Sequence, residues 1–306
     1  MKCNLCPRSC AVDRSAGTVG YCGMTDEVLV ARVAPHNWEE PCISGKNGSG
    51  TVFFSGCNLR CVYCQNVKIA AGRVGKAYTT SELADAFLAL GEAGCHNINL
   101  VTPSHFVPQI ASALLLAKDR GLTLPIVYNT SSYDCEQTLR QLDGLVDIYL
   151  ADLKYLSNDL AAAYSHAADY PEVAKRAIAE MVRQTGGTTY EEEETGKLFF
   201  HATEYPDGAL MKRGVIVRHL LLPGQAEEAK RVLSYLYETY GDSIAISIMN
   251  QYTPLSQVAA YPELNRHVTE EEYEEVVEFA VELGIGHGFL QEGEAADESF
   301  IPEFSG

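Results

Sequence analysis

The chain has 306 residues, and 46% of them are hydrophobic, so it can bury a sizeable core and is not a disordered polypeptide. Its 41 acidic and 23 basic residues give a formal net charge of −18, which disfavours binding to nucleic acid or to anionic membranes. No uninterrupted apolar stretch approaches the roughly 18 residues that a membrane span needs.

From residue 51 onward, apolar runs alternate with amphipathic segments. Near-continuous apolar strands separated by helices predict a parallel sheet covered by helices. The predicted strands are 51–54, 97–103, 125–131, 146–155, 214–224 and 243–252. The predicted helices are 80–90, 107–118, 136–142, 159–164, 171–184, 226–240 and 270–283. This α/β pattern suits a partial (β/α)6 TIM-like barrel, and the alternative is a doubly wound open sheet.

Three regions fall outside this alternation. Residues 1–50 form a cysteine-rich extension, which predicts a metal-binding unit, and residues 51–284 form the predicted barrel. Residues 185–213 read as an insertion with an acidic run at 191–194, and residues 285–306 as an acidic C-terminal tail. In the extension, Trp38, Glu39 and Glu40 lie beside Cys42, and we interpret them as material for a substrate lid.

The ten cysteines indicate the compartment. The first residues carry no apolar core of signal-peptide length, so we expect no export and a cytoplasmic location. Thiols in a reducing compartment serve more often as metal ligands than as disulfides. The sequence therefore predicts metal sites, and with them a protein that is intolerant of oxygen.

One cysteine motif carries most of the functional information. Cys57, Cys61 and Cys64 have the spacing C-x3-C-x2-C in FFSGCNLRCVYCQN and follow the first predicted strand. Three thiolates from one short loop can hold three irons of a 4Fe–4S cluster and leave the fourth iron open. A zinc loop or buried free thiols are the alternatives, but zinc sites favour four ligands arranged as two separated pairs.

This loop resembles that of the radical S-adenosylmethionine (SAM) enzymes, and Tyr63 before the last cysteine fits their pattern as well. The resemblance implies that the open iron binds the amino and carboxylate groups of SAM. It also implies reductive cleavage of SAM to a 5′-deoxyadenosyl radical, which abstracts hydrogen from a substrate.

A second set of cysteines opens the chain. Cys3, Cys6, Cys10 and Cys22 have the spacing C-x2-C-x3-C-x11-C, and four thiolates complete a closed metal site. Three thiolates within eight residues favour an auxiliary 4Fe–4S cluster, with structural zinc as the alternative.

Within radical SAM enzymes, the chain looks most like the pyruvate formate-lyase activating-enzyme group, through NINLVTPSHF, VYNTSSY, DIYLADLKY and IVRHLLLPG. That resemblance implies SAM contacts from Asn129, Ser131, Asp152, Lys154 and Arg218. A charged Arg218 inside an apolar strand also requires an anionic partner, for which Asp152 or the SAM carboxylate would serve. A Gly-Gly-Glu motif that many relatives carry on the second strand is replaced here by Val-Thr-Pro, so we assign the SAM amino group to Thr102 and nearby carbonyls.

The predicted function is therefore radical SAM chemistry on a small-molecule or peptide substrate, with a ferredoxin or flavodoxin as reducing partner. One alternative is activation of a glycyl radical enzyme, in which the substrate is a partner protein. A nonenzymatic iron–sulfur carrier is the other, and it would require a fourth ligand at the 57–64 loop.

Overall fold

The computed structural model describes residues 2–72, 74–191 and 209–291. Its strands are β1 (Val28–His36), β2 (Ser49–Phe54), β3 (Lys76–Tyr78), β4 (Ile98–Val101), β5 (Ile126–Thr130), β6 (Ile148–Asp152), β7 (Thr189–Tyr190), β8 (Met211–Leu220), β9 (Ala245–Met249) and β10 (Gly288–Leu290). Its α-helices are α1 (Pro41–Ser44), α2 (Val67–Ala71), α3 (Thr80–Glu92), α4 (Val107–Asp119), α5 (Glu136–Leu139), α6 (Asn158–Ser165), α7 (Tyr170–Thr185), α8 (Ala226–Tyr240) and α9 (Glu270–Leu283).

The strands form one open sheet in the order β10-β9-β8-β6-β5-β4-β2-β1-β3, and β7 pairs with β8. Every pair from β2 to β10 along this path is parallel, whereas β1 runs antiparallel to β2 and β3 antiparallel to β1. After β2, each successive parallel strand adds to the same edge, so the winding never reverses. In a doubly wound sheet the strand order reverses direction at one point. No such reversal occurs along this path, so the fold is not a doubly wound sheet. The predicted partial (β/α)6 barrel is confirmed.

The helix boundaries agree with local sequence chemistry. Thr79 and Thr269 each begin a helix with a complete capping box, formed with Glu82 and Glu272 respectively. In this motif, two backbone donors that the helix leaves unpaired are satisfied by side chains. The predicted helices 226–240 and 270–283 coincide with α8 and α9, while 136–142 divides into α5 and a 3-10 turn at Arg140–Leu142.

Strands β1, β3, β7 and β10 were not predicted. β1 belongs to the cysteine-rich extension yet pairs with β2 along most of its length. β10 lies within the predicted tail and pairs with β9. β3 and β10 have only three residues each, too few to show a period-two pattern, so tertiary pairing determines them. Most of the predicted tail and of the 185–213 insertion lies outside the described residues.

A short piece of the extension occupies the concave side of the sheet. Cys42 and Ile43 of α1 are completely buried against the inward-facing residues Val127, Ile148 and Ile216. An open barrel leaves its interior unsealed, and here α1 fills it at the amino-terminal end of the strands. The residues just before α1, including Glu39 and Glu40, lie next to this apolar layer.

In the part of the chain that the structure describes, none of the helices combines the length and hydrophobicity needed to cross a membrane.

Candidate active site

The cysteine loop begins where β2 ends, at the carboxyl edge of the parallel sheet. Gly56 precedes Cys57 with φ of +89°, a conformation that side-chain-bearing residues rarely adopt. A Cβ at this position would lie 2.6 Å from Met24 Cγ and 2.7 Å from the carbonyl oxygen of Cys22. The extension therefore packs directly against the start of the loop, and only glycine fits between them.

The three thiols of the loop lie close enough to influence one another. Burial raises the pKa of the Cys64 thiol, and the neighbouring Cys57 and Cys61 add to the rise, so that the pKa is about 12. Burial also raises the pKa of Cys61, which the positive charge of Lys154 opposes. The raised pKa values of Cys61 and Cys64 mean that their thiolates need added positive charge, which the irons of a cluster would supply.

No three His, Cys, Asp or Glu side chains among residues 2–72, 74–191 and 209–291 converge on a single metal ion. In a cube each thiolate binds its own iron, so cluster ligands need not converge as the ligands of one zinc ion must. The crowded thiols of the 57–64 loop thus fit a cube.

Next to this loop lies a buried charged network. Asp152 and Arg218 occupy directly paired positions of β6 and β8, and Arg218 Nε donates to Asp152 Oδ1 at 3.0 Å. Lys154 Nζ donates to Asp152 Oδ2 at 2.7 Å. Burial raises the pKa of Asp152, but Lys154 and Arg218 lower it more, so its pKa is held below the ordinary value. Asp152 is therefore an anion between two cations.

The partner of Arg218 on its other side is Glu39, which the extension contributes. Arg218 Nη1 donates to Glu39 Oε2 at 3.3 Å, and Asn99 and Asn129 donate to Glu39 Oε1 at 3.0 and 3.2 Å. Arg218 Nη2 also donates to Asn129 Oδ1 at 2.6 Å. Burial raises the pKa of Glu39 despite the attraction of Arg218.

Glu40 is buried beside the network, its pKa is raised by burial, and its Oε2 atom has no hydrogen-bond partner among the residues that the structure describes. The interpretation of these residues as a lid is therefore wrong for Glu39 and Glu40. Both lie inside the concave face, because the segment that leads into α1 enters the barrel. Trp38 is 62% exposed.

The structure thus brings together four of the side chains that the resemblance assigned to SAM: Asn129, Asp152, Lys154 and Arg218. Thr102 is adjacent, since its backbone N–H donates to the Asn129 carbonyl at 2.9 Å, and its φ of +58° turns the chain sharply after β4. Ser131 follows β5, is half-buried, and takes no part in these hydrogen bonds among the described residues.

Tyr63 belongs to a chain of buried hydroxyl groups that reaches Cys61, a predicted cluster ligand. Tyr155 Oη donates to Tyr63 Oη at 2.6 Å and lies 3.2 Å from Ser165 Oγ. Ser165 Oγ is in turn 2.9 Å from Cys61 Sγ. A hydrogen bond to a ligand sulfur is one of the means by which proteins adjust the potential of a cluster.

The four N-terminal cysteines gather at one place. A Cβ on Gly20 would lie 3.2 Å from Cys10 Sγ and 3.6 Å from Cys22 Sγ, so this glycine makes room for both sulfurs. Burial raises the pKa of Cys10, but hydrogen bonds from the Tyr21 and Val12 backbone and from the Cys3 thiol lower it overall. Burial raises the pKa of Cys6 to about 12. Thiols that face one another and accept hydrogen bonds from backbone N–H groups fit a metal site.

Arg8, inside this cysteine loop, connects it to the 57–64 loop. Its guanidinium donates to the carbonyl oxygens of Asn58 at 2.8 Å and Leu59 at 3.4 Å. It also donates to those of His166 at 2.6 Å and Ser165 at 3.4 Å, at the end of α6. One side chain thus joins both cysteine loops to the helix that carries Ser165.

Sequence reasoning missed the roles of Arg8 and Ser165 because the cysteine spacing leaves the residue at Arg8 unspecified, Ser165 lies outside any motif, and their partners are distant in the chain. Cys42 lies in the apolar layer under Glu40, where burial raises its pKa well above the ordinary value.

Comparison with known proteins agrees with this architecture. The family model for the radical SAM superfamily matches residues 51–236, and the chain belongs to that superfamily. An uncharacterized protein of Methanocaldococcus jannaschii, MJ0674, is 26% identical over 285 residues, which cover 91% of this chain and 74% of the relative.

Among solved structures, Streptococcus suis SuiB is similar with a TM-score of 0.50 and 12% identity, over 78% of this chain and 47% of SuiB. This chain thus spans about half the length of SuiB, and the likeness concerns the fold alone. A domain of pyruvate-formate lyase-activating enzyme from Bacteroides vulgatus is 11% identical with a TM-score of 0.40, over 61% of this chain and 91% of that domain.

Proposed function

We propose that this protein is a radical SAM enzyme that reductively cleaves SAM and abstracts a hydrogen atom from a small-molecule or peptide substrate. The observation that carries the proposal is the placement of Cys57, Cys61 and Cys64 beside the network of Asp152, Lys154 and Arg218. A 4Fe–4S cluster at these cysteines would supply the electron that cleaves the sulfonium bond of SAM.

The chain's own residues provide binding and orientation. Lys154 and Arg218 are the cations, and Asp152 and Asn129 the hydrogen-bonding groups, that would hold the charged methionine and ribose parts of SAM. Thr102 would offer its hydroxyl and adjacent carbonyls to the amino group. Because the side chains of Lys154, Asp152 and Arg218 are only 14%, 19% and 11% exposed, water is largely excluded, and their interactions with a ligand are stronger than in solvent.

Anaerobic reconstitution with iron and sulfide tests the proposal directly. We expect an iron–sulfur absorption band and, after addition of dithionite and SAM, release of 5′-deoxyadenosine. Cys61→Ala is the matched control and should release none. A fully loaded wild-type protein that never cleaves SAM, even with candidate substrates present, would contradict the proposal.

The substrate is proposed to be small or a peptide because α1, Glu39 and Glu40 occupy part of the barrel interior, which reduces the room for a substrate. The alternative is activation of a glycyl radical enzyme, as the resemblance to activating enzymes implies. Appearance of a glycyl radical signal by electron paramagnetic resonance in a partner protein would favour the alternative. We also propose a cytoplasmic location, and a flavodoxin or ferredoxin as electron donor.

For the N-terminal cysteines we propose a second metal site, with an auxiliary 4Fe–4S cluster favoured and zinc as the alternative. The approach of Cys10 and Cys22 to Gly20, and the hydrogen bond between the Cys3 and Cys10 thiols, support it. Metal analysis of Cys61→Ala, which retains only this site, should return four irons or one zinc per chain.

A further inference from the structure

A cleft of about 330 Å³ opens from the protein surface onto the cysteine loop. Its lining includes Cys61 and Cys64, together with Arg60 and Val62 from the same loop. The opposite walls come from α2, from His166 at the end of α6, and from Gln257 and Tyr261. Gln257 Nε2 donates to the Cys64 carbonyl at 2.8 Å and so fixes that wall to the loop. The cleft therefore leads from solvent to two of the three predicted cluster ligands.

The charge around this cleft is opposite to that of the molecule. The chain carries a net charge of −18, yet none of the nine described residues that line the cleft is an Asp or a Glu. The cation Arg60 of the lining is exposed, and so is Lys68, on the helix that contributes Val67 and Ala70. Glu263, near Tyr261, accepts a hydrogen bond from Tyr164 at 2.9 Å.

Arg60 is held at the rim by the extension. Its φ of +64° is unusual for a residue other than glycine, and its guanidinium lies 4.8 Å from the centre of the Tyr21 ring. A left-handed arginine costs on the order of 1 kcal/mol relative to a relaxed backbone. The cation–π contact offsets part of that cost and directs the charge to the surface beside the cysteines.

We infer that this cleft is the docking surface for an acidic one-electron donor protein of the flavodoxin type. The inference rests on the proposed function, which requires an electron from outside the chain. One electron would pass from the donor's flavin hydroquinone, leaving its semiquinone, to the oxidised cluster next to Cys61 and Cys64. The cations attract an acidic partner, and the acidic remainder of the surface repels it, so docking is confined to the site of reduction.

The test compares two reductants on the reconstituted protein. The probe is a bacterial flavodoxin in its hydroquinone form, and cluster reduction is followed by stopped-flow absorbance at low and high salt. We expect the double variant Arg60→Glu, Lys68→Glu to be reduced by flavodoxin about tenfold more slowly at low salt, with the difference diminishing as salt rises. Reduction by dithionite, iron content and dithionite-driven SAM cleavage should stay within about twofold of wild type.

Lys46→Glu is the matched control, since Lys46 is exposed and lies before β2, at the opposite end of that strand from the cysteine loop. It should leave the flavodoxin rate unchanged. If the double variant assembles no cluster, Arg60→Gln with Lys68→Gln repeats the comparison with smaller disturbance of the loop. Flavodoxin affinity, measured by calorimetry on the same samples, should fall in parallel with the rate.

Equal flavodoxin rates and affinities in wild type and the charge-reversed protein would overturn the inference, as would an equal decrease in Lys46→Glu. Failure of dithionite to drive SAM cleavage in wild type is a different result, and it would refute the proposed function instead.

Discussion

Ser165 Oγ lies 2.9 Å from Cys61 Sγ, so a hydroxyl at the end of α6 contacts a predicted ligand of the iron–sulfur cluster. Once Cys61 is a metal-bound thiolate it can only accept, and Ser165 becomes the donor. The same hydroxyl lies 3.2 Å from Tyr155 Oη, which donates a hydrogen bond to Tyr63 Oη. Residues about 100 positions apart in the chain thereby act on one sulfur.

Ser165→Ala should lower the midpoint potential of the cluster while leaving iron content unchanged. The reason is that a hydrogen bond to sulfur stabilises the more negative, reduced state. A potentiometric titration followed by electron paramagnetic resonance measures this shift. Ser165→Thr retains the hydroxyl and should remain close to wild type; an unchanged potential in the alanine variant would show that the contact has no electronic role.

Arg8→Met should lower the free energy of unfolding by roughly 1.5–3 kcal/mol, the value of hydrogen bonds made by a charged donor. It should also speed iron loss to a chelator, since Arg8 holds the carbonyls of Asn58 and Leu59 within the 57–64 loop. Urea denaturation and chelator kinetics provide the two measurements. Arg8→Lys keeps the charge without the fork of donors, so only partial recovery is expected.

Cys61→Ala and Cys6→Ala should differ in effect. Cys61→Ala should abolish SAM cleavage, because the cluster loses a ligand. Cys6→Ala should lose the second metal and some stability, since metal binding and folding are coupled at such sites. Cleavage should decrease without disappearing, because Arg8 links the two loops while Cys57, Cys61 and Cys64 come from a separate strand–loop unit. Complete loss of cleavage in a folded Cys6→Ala protein would instead indicate that the N-terminal site relays electrons or binds substrate.

Glu39→Ala should destabilise the fold by roughly 1–3 kcal/mol, because it leaves the buried amide donors of Asn99 and Asn129 without their acceptor. Glu39→Gln keeps an acceptor oxygen and should cost less. Thermal or urea unfolding of the metal-free proteins distinguishes the two. Equal stability of wild type and the alanine variant would mean that solvent replaces Glu39.

The pH dependence of Glu39→Gln follows from the raised pKa of Glu39. Between the ordinary value of 4.5 and the higher folded value, the folded state binds more protons than the unfolded state. As pH rises through this window, Glu39 ionises in the unfolded chain while it stays protonated in the folded one. The free energy of unfolding of the wild-type protein therefore decreases. The stability of Glu39→Gln relative to wild type should increase from pH 4.5 upward, as unfolding free energies at several pH values will show. A constant difference would indicate that the carboxylate is ionised in both states.

The local sequence by itself determined the elements and the cysteine chemistry of this protein. Three features depend only on residues a few positions apart: the uninterrupted apolar strands, the capping boxes at Thr79 and Thr269, and the C-x3-C-x2-C spacing. Patterns of such short range can be recognised in a single sequence. The requirement that Arg218 have an anionic partner was equally accessible, because a charge inside an apolar strand must be paired.

Only the tertiary structure decided which groups meet. Glu39 reaches Arg218 across 179 positions, and Arg8 reaches His166 across 158, through paths that no periodicity records. The single direction of winding, the antiparallel β1 and the three-residue β10 depend on pairing between distant segments. Long-range contacts of this kind are selected by burial and complementary charge in the folded chain. For this reason the sequence alone does not distinguish β10, or the segment that leads into α1, from a loop.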